Sequence, residues 1–285
     1  MAADTPRPYR SVLYIPASKE RALEKARSLP ADAIIFDLED AVAAEEKPAA
    51  RALLAGVLSN HDYGERARIV RVNGLDTAWG RDDVAAFAEA RIDALLIPKV
   101  SSPADLDAVA ALAPGRALWA MMETPLGMLN APAIAAHPAL AGMVMGTNDL
   151  AKDLNTRFRA DREPLLTGLG LCLLSAKAHE RVIVDGVYNA FKDEDGLRAE
   201  CAQGRDMGFD GKTLIHPAQI EIANAAFAPS DAEIDLARRQ TAAFEEAEAA
   251  GQGVAVVDGK IVENLHVATA RKTLALAAAL AARTK

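Results

Sequence analysis

The sequence has few cysteines, no excess of positive charge and no long hydrophobic run. Only Cys172 and Cys201 occur among 285 residues, at no metal-ligand spacing, so we expect two small buried or half-buried side chains in a reducing cytoplasm. The formal net charge of −8 argues against a nucleic-acid partner. No apolar run reaches the roughly 18 residues of a membrane-spanning helix, so no membrane partner is expected. The opening MAADTPRPYRS lacks the apolar core of a secretory signal, which also favours cytoplasmic localisation.

The sequence does contain a repeated alternation of short apolar runs and helical segments. Eight apolar runs, each short enough for a buried strand, follow one another at spacings of roughly 20 to 40 residues. They lie at 12–16, 33–40, 67–73, 94–100, twice within 117–150, at 182–187 and at 211–217. Eight strand and helix units close a barrel, so the sequence predicts an α/β protein with a (β/α)₈ TIM barrel over residues 1–228.

Two acidic residues stand out in the central stretch, Ala117–Leu150. Glu123 and Asp149 each close an apolar run, and the segment between the runs can form a helix. Parallel strands would bring both carboxylates to the same C-terminal edge, where barrels carry their chemistry. Two carboxylates with waters and substrate oxygens are a usual way to hold Mg²⁺. Alternatively, Glu123 caps the following helix and Asp149 begins another.

Other polar residues also follow the predicted strands. They are Asp37, Glu39, Asp40, Arg71, Asn73, Lys99, Thr124, Asn148, Asp185 and His216. Charge placed repeatedly after buried strands is typical of a catalytic barrel edge. Individually, simpler roles stay open: Asp40 could pair with Arg71 or Lys99, Lys99 could brace a barrel carboxylate, and His216 could be a hydrogen-bonded histidine at the barrel end.

Residues 229–285 predict a helix, a hairpin and a second helix outside the barrel. Ser230 with Glu233 three residues later forms a capping box before an amphipathic run. Asp258-Gly259 between alternating segments is a hairpin signal. We interpret this extension as a lid, an oligomerisation arm or both, with a merely packed C-terminal extension as the alternative.

Motifs along nearly the whole chain resemble the citrate lyase beta-subunit and malyl-CoA lyase family of the HpcH/HpaI aldolase superfamily. They include RSVLYIPASKERALEKA, IIFDLEDAVA, VRVNGLDT, METPLGMLNA, GTNDLA, GFDGKTLIHPAQIEIAN and GKIVENLHVATA. Within this family, the sequence most resembles the members that hydrolyse malyl-CoA to malate and free coenzyme A. The resemblance therefore implies an acyl-CoA thioesterase that needs Mg²⁺, which Mn²⁺ could replace, and a homo-oligomer, either trimer or hexamer.

The resemblance also implies roles for individual residues. Glu123 and Asp149 would bind the metal, and Arg71 would contact the thioester carbonyl or the hydroxyl and carboxylate of the substrate. The remaining substrate or coenzyme A contacts would be made by Tyr14, Lys19, Lys25, Asn148, Ile215 and His216, with Glu123 also near the substrate. For Lys19 and Lys25 the simpler interpretation is a solvated charge.

One position departs from the lyase pattern. Where the lyases carry a catalytic aspartate in the C-terminal tail, this chain has Glu263. The longer side chain moves the carboxylate by over about 1 Å, a change that can cost roughly 10²-fold in rate. A glutamate could still activate a water for thioester hydrolysis, or it could only cap the last helix.

Cleavage of malyl-CoA, citramalyl-CoA or β-methylmalyl-CoA to an acyl-CoA and a 2-oxo acid is the alternative function. A second alternative is a non-catalytic or regulatory relative, and the presence of Glu123, Asp149 and Arg71 argues against it.

Overall fold

Eight parallel strands form a closed barrel in the computed structural model, which describes residues 7–283. The strands are β1 Ser11–Pro16, β2 Ala33–Asp37, β3 Ala67–Arg71, β4 Ala94–Ile97, β5 Leu118–Met122, β6 Leu140–Met145, β7 Val182–Asp185 and β8 Gly211–Leu214. Each strand pairs with its neighbour in sequence, and β8 pairs with β1 to close the ring. The predicted (β/α)₈ barrel is confirmed.

Helices follow the strands as the alternating pattern predicts. They are α1 Glu20–Ala26, α2 Lys47–Asn60, α3 Gly80–Phe87, α4 Pro103–Leu112, α5 Pro125–Leu129, α6 Ala131–Ala135, α7 Thr147–Asp153, α8 Leu166–Ala178, α9 Glu194–Met207 and α10 Ile220–Phe227. Short 3₁₀ turns occupy 44–46, 163–165 and 217–219. In the described residues, no helix is long and apolar enough to cross a membrane.

Alternate positions of each strand face the barrel interior or the surrounding helices. Val12, Ile35, Ile69 and Trp119 belong to a buried cluster formed by one face of the strands. Gly142 leaves room for the Trp119 indole, because a Cβ there would overlap that ring. The opposite face packs against the helices in a larger apolar cluster, in which both predicted buried cysteines lie. At the C-terminal ends of the strands the interior positions become polar, and this change creates the site.

The described chain divides into two compact units. One is the barrel, Tyr9–Phe227; the other holds residues 228–283 together with Arg7 and Pro8. The second unit contains α11 Asp231–Ala249, β9 Ala255–Val257, β10 Lys260–Val262 and α12 Asn264–Arg283. The predicted Ser230 capping box is present, and Asp258 and Gly259 both have positive φ, 52° and 72°, in the hairpin turn. The helix, hairpin and helix of the extension are therefore confirmed, whereas its roles as lid and arm stay predictions.

Candidate active site

A cavity of about 330 Å³ opens among the C-terminal ends of the barrel strands. Eight of the residues singled out from the sequence line it: Tyr14, Asp37, Asp40, Arg71, Glu123, Asn148, Asp149 and Ile215. They come from β1, β2 and β3, from the residues directly after β2, β5 and β8, and from the first turn of α7, which follows β6. Residues more than 200 positions apart meet here because parallel strands deliver their ends to one edge.

Glu123 follows β5 and is buried, with 2% of its surface exposed. Its Oε1 accepts a hydrogen bond of 2.7 Å from the backbone N–H of Lys99, a residue held at φ 52°. Burial raises the pKa of Glu123 to about 7; the Lys99 N–H and Arg71 oppose the rise, and Asp149 adds to it. Thr124, not Glu123, caps α5 by accepting the Gly127 N–H. The carboxylate of Glu123 therefore does not serve as the helix cap.

Asp149 lies in the first turn of α7 and lines the same cavity. Its carboxylate is partly exposed, and the Lys152 ammonium lies 3.7 Å from Oδ1. The mutual repulsion of Glu123 and Asp149 makes this edge receptive to a cation. Within residues 7–283, no three His, Cys, Asp or Glu side chains converge as a protein-only metal cage. Two carboxylates facing a cavity fit a hard cation such as Mg²⁺, which completes its shell with waters and substrate oxygens.

Arg71 closes β3 and lies in the centre of an acidic cluster. Its Nε and Nη2 donate to the two oxygens of Asp37 at 2.8 and 2.6 Å. Its Nη1 lies 2.8 Å from Glu39 and 3.3 Å from Asp40, and its guanidinium lies 5.1 Å from the Tyr14 ring centroid. Asp37 occupies the edge formed by Nε and Nη2. The donors that point away from Asp37 are the second Nη2 hydrogen and Nη1, which also faces Glu39 and Asp40. Sequence reasoning predicted Asp40 as a partner and missed the bidentate Asp37.

Glu39, beside Arg71, is a second acid of this site with an altered protonation equilibrium. Burial raises its pKa to about 7, partly opposed by Arg71 and reinforced by Asp40. Its Oε2 makes no well-aligned hydrogen bond, although Arg71 Nη1 lies within ion-pair distance. Lys99 Nζ lies 3.8 Å from Oε1. Lys99 therefore contacts two barrel acids, Glu39 through its ammonium and Glu123 through its backbone, as the bracing interpretation predicted.

The rim of the cavity is polar on one side. Asn148 and Asn189 form a reciprocal amide pair, with hydrogen bonds of 3.3 and 2.8 Å. This pair joins the first turn of α7, which follows β6, to the loop after β7. Tyr14 donates its hydroxyl to the Met121 sulfur at 3.3 Å, and burial raises the pKa of the Tyr14 phenol above its usual range. Ile215 is 40% exposed at the β8 end.

Three of the residues expected to contact coenzyme A do not line the cavity. Lys19 and Lys25 are exposed, one just before α1 and one in its last turn. His216 accepts the Ala218 N–H and stacks on Phe191 with centroids 4.7 Å apart, so it is the hydrogen-bonded histidine offered as the simpler interpretation. Glu263 belongs to the C-terminal unit; its backbone N–H donates to His266 Nδ1 at 3.0 Å, just before α12.

Asp185 corrects one expectation. It ends β7, yet it is fully buried in a charge cluster with Arg162, Lys212 and Glu200 rather than lining the cavity. Strand alternation explains this, because Val184 belongs to the interior cluster and its neighbour must face the other way. Sequence reasoning missed Lys212 and Arg162. The lysine within the eighth apolar run was the available signal.

Comparison with known proteins gives a consistent result. Residues 10–217 match the family described as HpcH/HpaI aldolase/citrate lyase. The (3S)-malyl-CoA thioesterase of Cereibacter sphaeroides is 74% identical over 275 residues, 96% of both chains. The citrate lyase subunit beta of Escherichia coli is 34% identical over 280 residues, covering 94% of this chain and 93% of that one. The structure of CitE from Mycobacterium tuberculosis with magnesium, acetoacetate and coenzyme A superposes with a TM-score of 0.80 at 33% identity, covering 95% and 98%.

Proposed function

The chain belongs to the HpcH/HpaI aldolase/citrate lyase family, and we propose that it hydrolyses (3S)-malyl-CoA to (S)-malate and free coenzyme A. The observation that carries the chemistry is the cavity in which Glu123, Asp149 and Arg71 meet at the C-terminal end of the barrel. The 74% identity to a (3S)-malyl-CoA thioesterase over almost the entire chain supports the choice of substrate.

Glu123 and Asp149 are the residues that would hold Mg²⁺. When bound, the ion supplies positive charge that orients the hydroxyl and carboxylate oxygens of a malyl group and stabilises negative charge on them. Support comes from the fit of the two carboxylates and from a relative of known structure that contains magnesium and coenzyme A. We expect Mn²⁺ to substitute, because it also accepts oxygen ligands.

Arg71 would stabilise the oxyanion that forms as water attacks the thioester carbon. In this step a carbon–oxygen bond forms, the carbon–sulfur bond breaks, and the thiolate leaves with a proton that ultimately comes from the water. Asp37 holds the guanidinium rigidly through two hydrogen bonds, so the Nη1 and Nη2 donors need little reorganisation. Tyr14 and Ile215 bound the same cavity and would restrict how the acyl-CoA lies in it.

Glu263 is our candidate for the base that takes the proton from the attacking water. Glu263→Gln keeps the size of the side chain but removes its basicity, so hydrolysis should fall by about 10²-fold to 10⁴-fold. If Glu263 only supports the start of α12, the Gln variant should keep its turnover and change the free energy of unfolding by under about 1 kcal/mol. Thiol release from (S)-malyl-CoA measures the first outcome, and thermal unfolding measures the second.

A lyase reaction is the second candidate, favoured by the 34% identity to a citrate lyase beta subunit. Product identification separates the two functions. Hydrolysis gives malate and free thiol from malyl-CoA, whereas carbon–carbon cleavage gives glyoxylate and acetyl-CoA. Incubating the pure protein with (S)-malyl-CoA and Mg²⁺ should give free thiol with little glyoxylate.

We also propose that the protein is a cytoplasmic homo-oligomer, a trimer or hexamer, with Lys19, Lys25 and His216 near the coenzyme A arm. In the C-terminal unit, Val256 and Ile261 are 66% and 62% exposed as cross-strand partners on the hairpin. An apolar hairpin face of this kind favours burial against another surface. Light scattering should give a mass above that of one chain, and removal of residues 251–285 should abolish activity. An active monomer would contradict this arrangement.

A further inference from the structure

The barrel contains a buried lysine that the proposed reaction does not use. Lys47 begins α2, and only 8% of its surface is exposed. A buried ammonium is costly unless hydrogen bonds compensate it. Lys47 has that compensation: its Nζ donates to Leu38 O at 3.0 Å, Glu39 O at 2.6 Å and Asn73 Oδ1 at 2.7 Å. All three donors of the ammonium are therefore used, and the Trp79 ring lies 5.3 Å away.

Asn73 extends this contact to the loop after β3. Its side-chain amide donates to Leu38 O at 2.9 Å and to Asp83 Oδ2 at 2.6 Å, and its backbone N–H donates to the same Asp83 oxygen at 3.0 Å. Asp83 is fully buried in α3. Lys47, Asn73 and Asp83 thus form one buried network, which ties the loop after β2 to the loop after β3.

The loop after β2 is held from two sides. The Asp37 carboxylate accepts the backbone N–H groups of Glu39 and Ala41 at 2.9 and 3.1 Å while it binds Arg71. Lys47 holds the Leu38 and Glu39 carbonyls of the same segment. This segment carries Glu39 and Asp40, the two acids that face Arg71 Nη1. Its position therefore determines how these two carboxylates lie against Nη1 of the guanidinium.

We propose that Lys47 is a positioning residue for Arg71. It acts through the backbone of Leu38 and Glu39, which sets the place of the acids around the guanidinium. The positional part of this inference depends only on the geometry above. Its kinetic consequence rests on the proposed thioesterase reaction.

The positional part can be tested without turnover, by NMR of protein isotopically labelled at its arginine nitrogens. The Nε–H signal of Arg71 is assigned by its loss in Arg71→Lys. Lys47→Met removes the three donors at similar length, so this signal should shift or broaden. The control Lys177→Met removes an exposed ammonium that pairs with Asp210 and should leave it unchanged. An Arg71 signal that is the same in wild type and folded Lys47→Met would overturn the inference, whatever the protein hydrolyses.

Kinetics test the consequence. In Lys47→Met, kcat/KM for malyl-CoA should fall by about 10-fold to 10²-fold, because small displacements of a positioned group are costly. The Kd of free coenzyme A should stay within about twofold of the wild-type value, because Lys47→Met shifts one segment locally and does not loosen the whole fold. In an Arg71→Lys background, Lys47→Met should have less than about a threefold further effect, because the two residues act as one unit.

A second variant covers the case in which Lys47→Met does not fold. Asn73→Ala removes one acceptor of Lys47 and leaves the two carbonyl acceptors, so we expect a smaller shift of the same Arg71 signal. An unchanged signal in folded Asn73→Ala would then overturn the inference. If wild type releases no thiol from malyl-CoA, the proposed function fails, while the NMR comparison still decides the role of Lys47.

Discussion

Gly146 should be essential for the geometry of the metal site, although it carries no side chain. It follows β6 at φ −93°, a conformation that alanine tolerates. A Cβ there would lie 2.6 Å from Glu123 Oε2 and would also overlap Glu123 Cβ. Ordinary non-bonded contacts are about 3.5 Å, so Gly146→Ala must displace the Glu123 side chain by roughly 1 Å. We expect kcat/KM to fall by about 10²-fold and Mg²⁺ to bind more weakly.

Gly170→Ala is the matched control for this prediction. Gly170 lies within α8, and a Cβ there would meet no atom within 4 Å. This variant should keep full activity and gain about 0.5–1 kcal/mol in the free energy of unfolding. Thiol release at varied Mg²⁺ and thermal unfolding measure both effects. A folded Gly146→Ala enzyme with normal kcat/KM and normal Mg²⁺ dependence would refute the placement of the site around Glu123.

Three further predictions follow from the site and the barrel. Chelator should abolish activity, Mg²⁺ should restore it, and the Asp149→Asn variant should be inactive while staying folded. The pKa of Glu123 is raised to about 7, so below that pH a proton competes with the metal for this carboxylate. The affinity of the protein for Mg²⁺, measured by titration, should therefore rise with pH up to about 7 and then become constant. Arg71→Lys should lower kcat/KM by on the order of 10²-fold, because lysine lacks the fork, whereas a purely structural arginine would show only a lower Tm. Asp185→Asn should cost about 3–5 kcal/mol in denaturant unfolding, since it leaves buried cations without their partner, while the folded fraction keeps its specific activity.

Strand order and the position of the chemistry were predictable because both depend on local pattern. Short apolar runs separated by helical segments specify the eight units, and a carboxylate directly after such a run lies at the catalytic edge. Glu123 and Asp149 were identified in this way, and both line the cavity. The hairpin at Asp258-Gly259 was equally predictable, because two adjacent positive φ angles demand such residues.

Among contacts across long sequence distances, the pairing of Asp40 with Arg71 was predictable as one alternative, but those of Lys47 and Lys212 were not. Lys47 meets Asn73 at a separation of 26 residues, and Lys212 meets Asp185 at 27. Lys47 looks like an ordinary surface charge until the fold brings Asn73 to it, whereas the position of Lys212 within an apolar run indicates burial but not its partner. Adjacent residues of a strand face opposite sides of the sheet, so knowing that Asp185 ends a strand is not enough to predict where its side chain faces. That prediction also needs to know which alternate positions of the strand face the barrel interior. The bidentate contact of Asp37 with Arg71 likewise became evident only from the structure, because the two residues lie 34 positions apart on neighbouring strands.

The central claim is that this barrel hydrolyses the thioester of (3S)-malyl-CoA with Glu123, Asp149 and Arg71. The most direct test incubates the pure protein with (S)-malyl-CoA and Mg²⁺ and quantifies free thiol, malate, glyoxylate and acetyl-CoA in the same sample. We predict equal amounts of thiol and malate, little glyoxylate, and loss of both hydrolysis products in Asp149→Asn. Glyoxylate and acetyl-CoA as the main products, or full thiol release by Asp149→Asn, would contradict it.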